Sequence, residues 1–114
     1  MIMKYYHNNR CRKSREGLIF LKDRNINPEI IEYMNTKLNE EEIKSILKLL
    51  NYKAIDLIRK NESIYKEKIK GNSLSEKELI KWMVREPKLI ERPILINDDK
   101  ATIGRPSENF LEVI

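Results

Sequence analysis

Short runs dense in apolar and aromatic residues alternate along this chain with stretches whose apolar positions recur every three to four residues. That alternation predicts the elements. Ile2-Met3-Lys4-Tyr5-Tyr6 reads as a short strand and His7 to Arg10 as a polar loop. From about Cys11 to Asp23 the spacing changes to helical, with Leu18, Ile19 and Leu21 as the expected buried stripe. Asn25 to Pro28 breaks the chain, and Glu29 to Met34 reads as a second strand. A β-α-β start of this kind predicts parallel strands joined by a right-handed crossover.

The middle is helical. Asn39 with Glu42 forms a capping-box pattern that opens a helix through Ile43, Ile46, Leu47 and Leu50. A short helix is expected over Ala54 to Ile58, ending at Arg59-Lys60-Asn61, with Tyr65 in a variable segment and Gly71-Asn72 as a turn. Ser75 with Glu78 repeats the capping box before Leu79, Ile80, Trp82 and Met83, and Glu86-Pro87 closes that helix. Ile94-Leu95-Ile96 is then a compact apolar strand after Arg92-Pro93. Asn97 to Lys100 has turn chemistry, and Ala101-Thr102-Ile103 is its hairpin partner. A last helix is expected through Phe110, Leu111 and Ile114, with Pro106 at its first helical position. The order is β-α-β, a helical insertion at about 38–88, then β-β-α, within a single domain spanning 1–114.

Composition narrows the chemistry. At 114 residues the chain supports one modest core, and its 36% charged residues with few Gly and Pro suit an ordered, helix-rich protein. The net charge of +5 is interleaved with acid over most of the length, so no basic stripe for nucleic acid emerges. The excess gathers around position 11 and in isolated arginines at segment ends, a pattern suited to a small anion. One cysteine and one histidine exclude an internal disulfide and a multi-ligand zinc site. No signal peptide and no spanning helix is expected, so the protein is expected to be cytoplasmic, without membrane or nucleic-acid partners, and to work as a monomer.

Cys11 is that single cysteine, and it lies within His7-Asn8-Asn9-Arg10-Cys11-Arg12-Lys13-Ser14-Arg15. The thiolate is the nucleophilic form, and each unit of pKa depression corresponds to about 1.4 kcal/mol in its favour. The expectation is that the flanking cations supply this shift; the plainer reading is an inert thiol in a solvated basic loop.

This loop closely resembles the active-site loop of the glutaredoxin-linked (ArsC-type) arsenate reductases. Leu57-Ile58-Arg59-Lys60-Asn61 resembles that family's first anion-binding arginine motif. Leu89-Ile90-Glu91-Arg92-Pro93-Ile94 and Ile103-Gly104-Arg105-Pro106-Ser107-Glu108 resemble the other two. The four motifs recur in order over essentially the whole chain, with Asn9 where the family usually carries proline and no proline pair in Met34 to Asn39.

The resemblance implies an α/β, thioredoxin-like fold with a mixed central sheet and a cis-proline at Pro93. It implies catalytic roles for Cys11 and His7, the histidine helping to keep the thiol ionised by charge or hydrogen bonding. It implies that Arg59, Arg92 and Arg105 converge on arsenate, a tetrahedral oxyanion matched by arginine's planar fork. Read without the family, Arg59 complements a helix dipole, and the other two arginines are surface charges. Ser14 is expected to donate to the thiolate or to cap the helix. With no second cysteine, the resolving thiol must come from outside. By the resemblance this is glutathione as co-substrate with glutaredoxin as electron donor, and no cofactor is tightly bound.

Gly17 stands where a phosphatase-type loop needs arginine, and Ser14 breaks a CxxC pair. The alternatives are an Spx-type regulator binding RNA polymerase, or a glutathione-dependent thiol oxidoreductase of other specificity.

Overall fold

The structure is a computed structural model describing residues 3–114; the part of the first strand expected at Ile2 lies outside them. The elements are β1 (Met3–Tyr6), α1 (Arg12–Lys22), β2 (Glu29–Ile31), α2 (Glu40–Leu50), α3 (Ala54–Leu57), α4 (Glu76–Arg85), β3 (Ile94–Asn97) and β4 (Lys100–Ile103). A π-helical turn at Tyr65–Ile69 and 3₁₀ turns at Pro87–Leu89 and Ser107–Glu112 complete the chain. It divides into two compact units. One comprises the residues up to Thr36 together with Arg92–Ile114; the other is Lys37–Glu91.

The first unit is built on a mixed four-stranded sheet of order β2-β1-β3-β4. β1 runs parallel to β2 and antiparallel to β3, and β3 and β4 form an antiparallel hairpin. Its register decides where chemistry can occur. Tyr6 at the end of β1 pairs with Ile31 at the end of β2 and with Ile94 at the start of β3. Ile94 pairs in turn with Ile103 at the end of β4. Four chain segments therefore leave the sheet at one end: those after β1, after β2, before β3 and after β4. Tyr5, Leu21, Leu95, Phe110 and Val113 form the buried cluster of this unit.

Three local expectations change here. Ile19 is 58% exposed, and the buried face of α1 is instead Ser14, Gly17 and Leu21, a spacing of three and four. Gly17 has no side chain because Tyr5 occupies the space. A Cβ at Gly17 would collide with the Tyr5 hydroxyl and crowd Phe110 and Pro93. β2 ends at Ile31, so Tyr33 and Met34 belong to the turn that follows. The last helix is a 3₁₀ turn that Pro106 precedes with extended backbone, so the proline is its cap and not its first helical residue. Phe110 and Val113 are its buried residues, while Leu111 and Ile114 are exposed.

The second unit is helical and a little wider than the 38–88 span read from the sequence. Both capping boxes form as reciprocal pairs. Asn39 accepts from the Glu42 N–H at 2.8 Å while Glu42 accepts from Asn39 N–H at 3.1 Å, and Ser75 and Glu78 repeat the arrangement. Ile43, Ile46 and Leu47 of α2 and Leu79, Ile80 and Met83 of α4 are buried. An isolated antiparallel bridge joins Ile58 to Ile90. No helix among the described residues is long and apolar enough to cross a membrane.

Candidate active site

Cys11 is the N-cap of α1, with extended backbone, and its own N–H is anchored on the Asn8 carbonyl at 2.9 Å. Its half-buried sulfur receives the Nη2–H of Arg105 at 3.4 Å and a hydrogen bond from Arg92. Burial alone would push the thiol pKa up. The Arg92 hydrogen bond, the backbone N–H groups of Ser14 and Lys13 and the Arg92 charge outweigh it and hold the thiol below its ordinary value. The sulfur makes no full cap hydrogen bond, yet it lies over the first-turn N–H groups, where the positive end of the helix dipole also favours an anion.

The flanking cations do something else. Arg12 and Lys13 pair with Glu16 at 3.1 and 3.6 Å, and Arg15 donates to the Asn9 carbonyl at 3.0 Å. All of these, and Arg10, are exposed, and what holds the thiol down is the Arg92 guanidinium with the backbone N–H groups of Ser14 and Lys13. The expectation that the local basic run activates Cys11 is corrected accordingly: helical side chains project outward from the axis, while the N-cap sulfur sits over its end.

Arg92 and Arg105 come from the segments before β3 and after β4, which the hairpin register places together. Arg105 Nε donates to the Arg92 carbonyl at 2.6 Å, and the Gly104 N–H donates to the Pro93 carbonyl at 2.8 Å. The Asn109 amide donates to the Ile103 and Arg105 carbonyls, both at 3.2 Å, pinning the turn that carries Arg105. The Arg92–Pro93 peptide is cis, and so is Arg105–Pro106, which the sequence did not suggest.

His7 and Ser14 are both buried, and His7 Nδ1 lies 2.6 Å from the Ser14 hydroxyl oxygen. That oxygen also accepts the Asn8 N–H at 3.1 Å. The Ser14 hydroxyl is thus engaged by His7 and by the Asn8 N–H, and the donor that Ser14 is seen to offer the sulfur is its backbone N–H. Burial lowers the His7 pKa, with Glu32 opposing and Arg15 adding to the effect. Burial thus works against a charged His7, and the contact the structure gives it is the hydrogen bond with Ser14. It acts on the loop through Ser14. Tyr5 was not singled out in the sequence; its buried hydroxyl donates to the Ser14 carbonyl at 2.7 Å and ties the first turn of α1 to β1.

Arg59 belongs to the helical unit. Its backbone N–H donates to the Leu89 carbonyl at 2.7 Å beside the Ile58–Ile90 bridge. Its guanidinium lies 3.7 Å from Glu62 and 3.9 Å from Glu91, with the side chain 12% exposed. The sheet unit thus brings Cys11, Arg92, Arg105, His7 and Ser14 together, and Arg59 sits between two carboxylates of its own unit.

A cavity of about 400 Å³ adjoins the cysteine loop, lined by His7, Asn8, Asn9 and Arg10 and by Glu32, Met34 and Asn35 of the turn after β2. Among the described residues no group of three or more His, Cys, Asp or Glu side chains gathers as a metal site requires.

Comparison with known proteins places this geometry. The ArsC family model matches residues 6–113. An uncharacterised Escherichia coli (strain K12) protein, YfgD, is 45% identical over 98% of this chain and 96% of its own length. An arsenate reductase of Haemophilus influenzae is 41% identical over 96% of each chain. The solved structure of an arsenate reductase from Vibrio cholerae superposes with a TM-score of 0.95 at 40% identity, covering 100% of this chain and 98% of that one. The fold is thus the thioredoxin-like one of these structures.

Proposed function

The chain belongs to the ArsC family, and from that premise we propose that it reduces arsenate to arsenite, with Cys11 as nucleophile. The observation that carries the reading is a lowered-pKa thiol at a helix N-cap with two arginines on its sulfur. A cysteine alone would be repelled by an oxyanion; Arg92 and Arg105 supply the cations that let anionic nucleophile and anionic substrate meet.

The Cys11 thiolate attacks arsenic, forming a sulfur–arsenic bond as a protonated arsenate oxygen leaves as water. Two electrons must then reach arsenic(V), and the single thiol of this chain cannot supply them. Glutathione displaces a second oxygen as water, forming its own sulfur–arsenic bond. A glutaredoxin thiolate attacks that glutathione sulfur, and the sulfur–arsenic electron pair passes to arsenic, giving arsenic(III) and a mixed disulfide. Water then displaces Cys11 and releases arsenite. The cavity beside the loop is in the range of about 300–1,000 Å³ usual for small-ligand sites and is the room this reading gives to the thiol donor. Arg59 is the third cation of the reading, assigned by its motif. No tightly bound cofactor is required.

The test is arsenate-dependent NADPH oxidation with glutathione, glutathione reductase and glutaredoxin present, using the native protein and Cys11→Ser. Turnover that needs both Cys11 and glutaredoxin is the expected result. A folded native protein without arsenate turnover would overturn the substrate, and turnover by Cys11→Ser would overturn the mechanism.

A further inference from the structure

β4 is an edge strand of the sheet, so past Ile103 the chain has a neighbouring strand on one side only. Backbone groups at such an edge need partners from outside the ladder. On the strand side, the Gly104 N–H donates to the Pro93 carbonyl at 2.8 Å. The other tie comes from the last 3₁₀ turn. A carboxamide nitrogen carries two N–H donors, and that of Asn109 serves the Ile103 and Arg105 carbonyls, each at 3.2 Å. One side chain thus spans the turn Ile103-Gly104-Arg105. Asn109 is held in its own place by its backbone N–H, which donates to the Pro106 carbonyl at 3.0 Å, and it adjoins the buried Phe110.

From that turn Arg105 reaches the thiol. Its Nε donates to the Arg92 carbonyl at 2.6 Å and its Nη2 to the Cys11 sulfur at 3.4 Å. The guanidinium is a rigid fork, so with Nε seated, the place of Nη2 follows from where the Arg105 backbone stands. A misplacement of about 1 Å is enough to forfeit much of what such a contact contributes. We propose that Asn109 is a positioning residue for the thiolate, its amide holding the Arg105 peptide where the guanidinium meets Cys11. Asn109 acts on the sulfur through Arg105. The proposal rests on Cys11 as the reactive thiol and holds whichever oxyanion the site takes.

The test is the pH dependence of Cys11 alkylation by iodoacetamide, which reads the thiol midpoint without any turnover. Asn109→Leu keeps the size of the side chain and removes both donors. Its midpoint is expected to rise by about half a pH unit, a roughly three-fold loss of thiolate below the midpoint. In an Arg105→Met background the same substitution is expected to add nothing, since the coupling runs through the guanidinium. A low native midpoint that Asn109→Leu leaves in place, or an equal rise in both backgrounds, overturns the proposal alone. A native midpoint no lower than the 8.5 or so of a free thiol overturns the reactive-thiol reading and the proposal with it. Should Asn109→Leu fail to fold, Asn109→Ser, smaller and still able to donate once, is read in the same two backgrounds with a smaller rise expected. Failure of both to fold would mark Asn109 as a purely structural residue and overturn its assignment to the thiolate.

Discussion

The basic run from Arg10 to Arg15 and the arginine pair Arg92 and Arg105 carry charge of the same sign, yet only the second set brings charged side chains to the sulfur. The first set is adjacent in sequence, exposed, and spent on Glu16 and a loop carbonyl. The second arrives from far along the chain, Arg105 being 94 positions from Cys11, because antiparallel pairing turns the ends of β3 and β4 toward the end of β1. Proximity along a chain places charges within a Debye length, where water screens them. Proximity enforced by a sheet places donors at hydrogen-bond distance in partly buried surroundings, where each is worth far more.

The sharpest way to break this contrast is to remove the second set. Arg92→Met and Arg105→Met should each raise the Cys11 midpoint and weaken oxyanion use, by about 1.5–3 kcal/mol per charged hydrogen bond, or roughly 10- to 150-fold. Alkylation rates against pH and arsenate kinetics measure the two effects separately, and unchanged values in both variants would dissolve the contrast. Next in size is Ser14→Ala. It strips the partner from His7 Nδ1 and the Asn8 N–H, and about 1–3 kcal/mol of stability should go with it. A denaturant midpoint equal to that of the native protein would show that the pair is not needed.

His7 gives a smaller, pH-resolved effect. Its folded pKa lies below the 6.5 of the free side chain, so the unfolded chain binds the proton first. Stability should therefore fall as pH drops below about 6.5 and level off beneath the folded pKa. His7→Gln should flatten that slope of Tm against pH, and a slope unaltered by the substitution would assign it elsewhere. Smallest of all, Arg12→Gln or Lys13→Gln should leave the Cys11 midpoint where it is. A rise comparable to that of Arg92→Met would restore the local basic run as the activator.

Features governed by near neighbours were legible in the sequence. The two capping boxes depend only on residues three apart and form as read. The hairpin at Asn97–Lys100 forms too, with Asp98 taking the left-handed conformation at φ 59°. Features decided by packing were not. Apolar spacing selected Ile19 for the core, but the core side of α1 had to accommodate the Tyr5 hydroxyl and so took Gly17. Pro106 suits a first helical position on propensity, yet the chain ends in a 3₁₀ turn anchored by Phe110, whose ring fills the space a Cβ on Gly104 would need. Within the site, residue types were readable from motif order, whereas directions were not. Nothing local indicates that Ser14 shares a hydrogen bond with His7 or that Arg105 reaches the Cys11 sulfur.

The distance in sequence between Cys11 and its arginines has a consequence for the life of the chain. While the protein is being synthesised, α1 can emerge long before Arg92 and Arg105 exist, and during that interval the cysteine lacks the guanidinium donors that favour its thiolate. Its reactivity arrives with the last segments of sheet. An incomplete or misassembled copy therefore offers oxidants and electrophiles a poor target, and alkylation of Cys11 at low pH becomes a reporter of whole-chain folding as much as of catalysis.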